Sequence, residues 1–144
     1  MKSEPRNKLR VVLDTNVLVS AVGFGKQTKK IWDLAEDKKF DLFVSGFILM
    51  ELERILIEKL DFTAQKAREI AQGVESLATV ELPEHRISVI KEDASDNAIL
   101  ECAVSAKAQV IVTGNMKHIR PLAIFQGIQI LTPREFLNKH FPEL

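Results

Sequence analysis

The sequence predicts an α/β fold in which helices cover a central, mostly parallel sheet. Short apolar strand patterns alternate with longer helical patterns along the chain, which is typical of parallel sheets. The segment VVL at 11–13 is a continuous apolar run, as expected for a strand that is buried on both faces. The 144 residues are 46% hydrophobic and 28% charged. This length and composition predict one globular domain over residues 1–144.

The first half of the chain contains two strands and three helices by this reasoning. We predict strands at 9–14 and 40–44, and helices at 28–38, 47–60 and 63–78. Ser45 stands where an N-cap is preferred, since its hydroxyl can accept a hydrogen bond from a free backbone N–H group, and Thr63 is expected to begin the helix at 63–78. Asp14 follows the first strand directly and could cap a helix or turn there.

The second half begins with the weakest pattern in the chain. The segments ATVEL at 78–82 and RISVI at 86–90 offer one or two strands around Pro83. Further on, we predict a helix over 96–108 with Ser95 as its N-cap, and strands at 109–113 and 127–131. Thr132, Pro133 and Glu135 then predict a short terminal helix to about 138, with a capping box.

The charge and cysteine content limit the partners and the compartment expected for this chain. Lys plus Arg and Asp plus Glu number 20 each, so the formal net charge is zero and the total does not favour a polyanion partner. The single Cys102 lies in an apolar run and is expected in the core. The charged start MKSEPRNK and the lack of an apolar run of membrane-spanning length predict a cytoplasmic protein without membrane association.

Three acids occupy comparable positions in this arrangement. Asp14 follows the first strand, Glu51 lies near the start of the helix after the second strand, and Asp96 begins the helix before the strand at 109–113. If the sheet is parallel, all three can gather at one edge, where like charges need a cation. Oxygen ligands suit Mg²⁺ or Mn²⁺. One Cys and three scattered His make zinc a poor alternative.

Each of these residues also has a structural interpretation. Asp14 could act only as a helix cap, and Asp96 could interact only with the dipole of its helix. Asp93 is either a supporting acid or a solvated loop residue. The basic residues near the candidate segments either hold phosphates or form solvated faces. The candidates for phosphate contact are Lys26, Lys117 and His118.

Four segments, in order along nearly the whole chain, resemble the PIN-domain family. They are DTNVLVS at 14–20, SGFILMELERIL at 45–56, DASDNAILECAVSAKAQVIVTGN at 93–115 and ILTPREFL at 130–137. The resemblance is strongest to the small prokaryotic VapC-like toxins. It implies a three-layer α/β/α domain and a Mg²⁺- or Mn²⁺-dependent endoribonuclease that cleaves single-stranded or structured RNA. It also implies an antitoxin partner and a homodimer.

Position by position, the resemblance assigns the acidic site to Asp14, Glu51 and Asp96. It assigns supporting roles to Thr15, Asn16 and Thr113. Many members of the family carry a fourth acid where this chain has Asn115. An amide oxygen can coordinate a metal but carries no charge, so the substitution argues against a tightly held second ion.

Two alternatives stay open at the level of sequence. The chain could be a catalytically weakened PIN-like module that binds RNA or protein, and Asn115 favours this view. It could also be a haloacid-dehalogenase-like phosphatase, which likewise begins with a strand ending in Asp. That chemistry needs a second Asp two positions after the first, where this chain has Asn16.

Overall fold

A six-stranded sheet with flanking helices makes up the described part of the molecule. The computed structural model describes residues 8–23, 25–84, 86–88 and 94–143. The strands are β1 (Arg10–Leu13), β2 (Asp41–Ser45), β3 (Thr79–Glu81), β4 (Val110–Val112), β5 (Ile124–Phe125) and β6 (Ile128–Leu131). The helices are α1 (Thr15–Val22), α2 (Lys26–Glu36), α3 (Gly46–Leu60), α4 (Ala64–Leu77), α5 (Ala94–Ser105) and α6 (Pro133–His140). A short 3₁₀ turn covers Arg120–Leu122.

The strand order is β3-β2-β1-β4-β6-β5. All neighbouring strands are parallel except β5, which pairs with β6 in antiparallel fashion. The predicted α/β fold with a mostly parallel sheet is therefore confirmed. Since parallel strands end at the same edge, the residues that follow β1 and β4 are neighbours. These residues are Asp14 and Thr113, and the Asp14 N–H donates to the carbonyl of Val112 at 2.9 Å.

The hydrophobic core lies on the central strands and on the helix faces packed against them. Val11, Val12 and Ile111 are fully buried, which explains why their strands lack a polar alternation. On α3, the leucines at 52 and 56 are also fully buried. Each such side chain contributes about 1.5–3 kcal/mol through removal of apolar surface from water. Cys102 is buried in the same core, and desolvation raises the pKa of its thiol to about 12.

Several helix starts agree with the sequence because their causes are local. The hydroxyl of Ser45 accepts from the backbone N–H three residues later, as predicted. Thr63 does the same as the N-cap of α4, one residue before the helix begins at Ala64. The capping box of Thr132 and Glu135 is also present, and α6 runs two residues beyond the expected end. Asp14 caps α1, which confirms that its side chain has a structural role. None of the helices in the described ranges combines the length and apolarity needed to cross a bilayer.

Other boundaries were predicted wrongly. Ser95 is not an N-cap, because α5 already begins at Ala94 and places Ser95 within its first turn. The second helix, α2, starts at Lys26 rather than at Thr28, whose hydroxyl bonds to the carbonyl of Gly25 inside the first turn. The two-residue strand β5 was not predicted.

The two candidate strand segments around Pro83 differ in the structure. ATVEL supplies β3 at one edge of the sheet. Residues 86–88 of RISVI form no strand, and residues 89–90 lie outside the described residues.

Glu135 connects α6 to the chain segment that follows β4. Its carboxylate accepts from the Thr132 backbone N–H at 2.9 Å and from two guanidinium nitrogens of Arg120, at 3.1 and 2.9 Å. The hydrogen bond from Arg120, helped by the Thr132 backbone, lowers the pKa of Glu135 from its ordinary 4.5 to about 2. A lowered folded-state pKa means that the ionised form stabilises the fold.

We therefore expect an acid-dependent loss of stability from this group. Its contribution is complete above pH 4.5 and is lost as the pH falls from 4.5 towards 2. Glu135→Gln should be less stable than the native chain at pH 7, and this difference should shrink steadily below pH 4.5 in urea unfolding. Glu143→Gln, at another exposed glutamate, is the matched control. A difference that stays constant down to pH 2 would contradict the assignment.

Candidate metal centre

Asp14 lies at the centre of the sheet edge and is 5% exposed. Its Oδ1 accepts from the backbone N–H of Asn16 at 3.4 Å, and its Oδ2 accepts from the Thr113 hydroxyl at 2.6 Å. Burial raises the pKa of the Asp14 carboxyl, and the nearby charge of Asp96 adds to this effect, while the hydrogen bond from Thr113 opposes it. A buried carboxylate beside a second one is an arrangement that a cation stabilises.

Asp96 stands in the first turn of α5 and is likewise buried. Its Oδ1 accepts from the side-chain amide of Asn115 at 3.0 Å. Its Oδ2 is 2.9 Å from Nδ1 of His118. Both oxygens of Asp96 thus contact side chains from the segment that follows β4.

Thr113 joins the two carboxylates into one network. It is fully buried, and its hydroxyl donates to Asp14 while accepting from the backbone N–H of Asn115 at 2.8 Å. Asn115 in turn donates to Asp96. The supporting role predicted for Thr113 thus has a geometric basis, since a single hydroxyl orients Asp14 and fixes the start of the following turn.

Asn115 uses the two ends of its amide differently. Its oxygen accepts from the backbone N–H groups of Lys117 and His118, at 3.2 and 2.9 Å, while its nitrogen faces Asp96. An aspartate here would place a third negative charge against Asp96. The amide supplies a donor instead. As a metal ligand, Asn115 would have to give up its backbone hydrogen bonds.

Glu51 lies apart from this network. Its carboxylate accepts hydrogen bonds from two Arg54 nitrogens, and the shortest of these contacts is 2.8 Å. Arg54 also forms an ion pair with Glu58 on the next turn. Residues three or four apart on a helix are neighbours, so α3 can form these pairs by itself. Within the described ranges, no three His, Cys, Asp or Glu side chains are grouped closely enough to hold a metal ion. The structure brings Asp14 and Asp96 together but does not add Glu51 to them.

The other predicted site residues differ in burial and in their place in the fold. Thr15 is buried at the start of α1, whereas the side chain of Asn16 is exposed and only its backbone N–H contacts Asp14. Lys26 is exposed on α2, and Lys117 is exposed in the turn after β4. Asp93 lies outside the described residues. Sequence reasoning missed Arg54, although its spacing from Glu51 was a visible signal.

Comparisons with known proteins identify the family of this chain. A family model described as a PIN domain matches residues 10–117, which is most of the chain. The chain belongs to the PIN-domain family. The dehalogenase-like alternative is therefore wrong.

Solved structures with the same fold as this PIN domain include a DNA-bound VapBC from Salmonella typhimurium, at 19% identity and a TM-score of 0.60. That match covers 87% of this chain and 98% of the other. VapBC2 from Rickettsia felis, bound to a DNA fragment from its promoter, matches at 15% identity and a TM-score of 0.60, with 85% and 97% covered. A search of curated protein sequences finds no match.

The donor set of this PIN domain fits a hard divalent cation. Asp14 and Asp96 offer carboxylate oxygens on neighbouring elements, and burial of Asp14 beside a like charge favours a bound cation. Mg²⁺ typically takes one or two protein carboxylates and keeps several waters. Two acids are therefore enough for one such ion.

Removal of the Thr113 hydroxyl should destabilise this network. Thr113→Val keeps the shape of the side chain but leaves Asp14 and the Asn115 N–H without their shared partner. We expect the free energy of unfolding to fall by about 1–3 kcal/mol, as for other buried groups left unsatisfied. Thr79→Val, at an exposed strand position, should change little. Equal effects of the two substitutions in urea unfolding would argue against the network.

Proposed function

We propose that this chain is a metal-dependent endoribonuclease with one well-held Mg²⁺ or Mn²⁺ ion between Asp14 and Asp96. The main support is the pair of buried carboxylates at the edge of the sheet, linked through Thr113 and Asn115. Membership of the PIN-domain family, whose members are typically nucleases, supports the same activity.

In this proposal each residue of the chain has a separate task. Asp14 and Asp96 hold the ion, and Thr113 orients Asp14. When bound, the ion supplies a Lewis acid for the scissile phosphate and lowers the pKa of an attacking water. Glu51 is the third acid, and it can accept a proton or orient water only after its carboxylate leaves Arg54.

The proposed substrate is RNA with exposed phosphates near the sheet edge. Two exposed lysines, Lys26 on α2 and Lys117 in the turn after β4, supply positive charge for these phosphates, and a formal net charge of zero gives no overall repulsion of RNA. Phosphate contacts position a nucleic acid without reading its sequence. These lysines would therefore contribute to affinity rather than to the choice of cleavage site.

We also propose an antitoxin partner and a homodimer. Support for the antitoxin comes from the solved structures with this fold, which are VapBC complexes. The homodimer is proposed from the resemblance to the VapC-like toxins. Sedimentation velocity of the isolated chain should give the mass of a dimer, and a sharp boundary at the 16.2 kDa monomer mass at all concentrations would contradict that part.

A second function is favoured by one contact. The amide of Asn115 donates to Asp96, so the acidic pair is partly neutralised by the protein itself. A catalytically weakened module that binds RNA or protein would need this feature, because its carboxylates must be stable with no ion present. The two candidate functions differ in metal binding and in cleavage.

Asp14→Asn tests the nuclease. We expect Mn²⁺ to raise the unfolding temperature of the native chain and to support cleavage of single-stranded RNA. The variant should keep its fold but lose both responses, since a neutral amide no longer attracts the ion. Asp33→Asn, at an exposed residue on α2 paired with Lys29, is a control that should behave like the native chain. Cleavage by Asp14→Asn at the native rate would refute the scheme.

Asn115→Asp separates the two candidate functions. For a one-ion nuclease, the native chain already binds Mn²⁺ and cleaves RNA, and the added charge tightens metal binding further. For a weakened binding module, the native chain does neither, and the substitution restores both. Calorimetric Mn²⁺ titration and an RNA cleavage assay on the two proteins distinguish these results.

A further inference from the structure

One short turn holds both oxygens of Asp96. We call the side chains of Asn115 and His118 the Asp96 clamp. Asn115 donates to Oδ1 at 3.0 Å, and Nδ1 of His118 lies 2.9 Å from Oδ2. An ionised carboxylate can only accept, so this contact requires the proton of the imidazole to be on Nδ1. The clamp therefore fixes the tautomer of His118 as well as the rotation of Asp96.

The backbone of this turn is held at several points. The Asn115 oxygen accepts from two N–H groups inside the turn, and the Asn115 carbonyl accepts from the N–H of Arg120 at 2.9 Å. Ile119 is fully buried and anchors the turn in the core. Arg120 pairs with Glu135 on α6. With both ends fixed, the turn presents the imidazole to Asp96 at a set position.

In the contact between His118 and Asp96, the acid is much more buried than the imidazole. The Asp96 side chain is 10% exposed, whereas that of His118 is 36% exposed. The imidazole therefore lies between the acid and the solvent. This placement differs from that of a group directed mainly at a substrate, which was the role considered for His118 from the sequence.

We infer that His118 is a positioning residue that holds Asp96 in one orientation beside Asp14 for a bound cation. This inference rests on the proposed function, in which Asp96 is a metal ligand. Partners of this kind orient the ligating group, and their loss typically costs about 10- to 100-fold in metal affinity.

Two substitutions of His118 separate its hydrogen bond from its bulk. His118→Phe keeps an aromatic ring but has no donor. His118→Asn keeps a donor near the position of Nδ1 and loses the remainder of the ring. Met116→Ala, in the same turn but exposed, is the matched control. The four proteins are compared by Mn²⁺ calorimetry, by urea unfolding without metal, and by steady-state cleavage of a short single-stranded RNA.

The expected result is a graded effect on metal binding. His118→Phe should bind Mn²⁺ about tenfold more weakly, with His118→Asn within about threefold of the native chain and Met116→Ala unchanged. At saturating Mn²⁺, the residual loss should fall on kcat, with KM for RNA unchanged, because Asp96 acts on the ion and not on the RNA. Recovery by the asparagine variant would identify the hydrogen bond as the cause.

Three results would overturn the inference. An unchanged Mn²⁺ affinity with a higher KM would make His118 a phosphate contact. A tighter Mn²⁺ affinity in His118→Phe would make it a competitor of the ion. Lower stability with unchanged affinity would leave it a purely structural partner of Asp96.

The proposed function and this inference fail in different ways. If the native chain neither binds Mn²⁺ nor cleaves RNA, the nuclease proposal fails and the role of His118 fails with it. If the native chain does both and Asp14→Asn does neither, while His118→Phe behaves like Met116→Ala, only the role of His118 is lost.

Discussion

The repulsion between two buried carboxylates at one edge of the sheet is the constraint around which this site is built. Asp14 is delivered by the central strand β1, and Asp96 by the first turn of α5. Burial and the neighbouring charge both raise the pKa of Asp14. A fold that keeps such a pair must supply hydrogen-bond donors, a cation or both. Donors that this chain supplies include the Thr113 hydroxyl, the Asn115 amide and the His118 imidazole.

Asn115 changes how that repulsion is met. A carboxylate at this position would add to the negative charge and make the site more dependent on cations. The amide keeps the same backbone contacts within its turn and offers Asp96 a hydrogen bond. The site thus becomes more stable without an ion and less able to hold two. This exchange explains why one contact supports both a one-ion nuclease and a weakened binding module.

The charge of Glu51 can be offset in two different ways. Its neighbours in sequence are apolar, so an unpaired charge on that side of α3 would be costly, and metal binding offered one solution. The helix contains another solution, since Arg54 is three positions away and forms an ion pair with it. To reach the proposed metal at Asp14, Glu51 must first break its ion pair with Arg54. Within the described residues, Asp14 and Asp96 form no ion pair of this kind inside their own helices.

Features whose causes lie within a few residues follow from the sequence alone. These include the alternation of strands and helices, the caps at Ser45, Thr63 and Thr132, and the position of Asp14 at a strand end. Contacts between polar groups that are distant in sequence depend on the tertiary structure. Thr113 contacts Asp14 across 99 positions, and His118 contacts Asp96 across 22. Such contacts follow from strand order and from the path of one turn, and no local pattern specifies either, because separation along the chain does not fix separation in space.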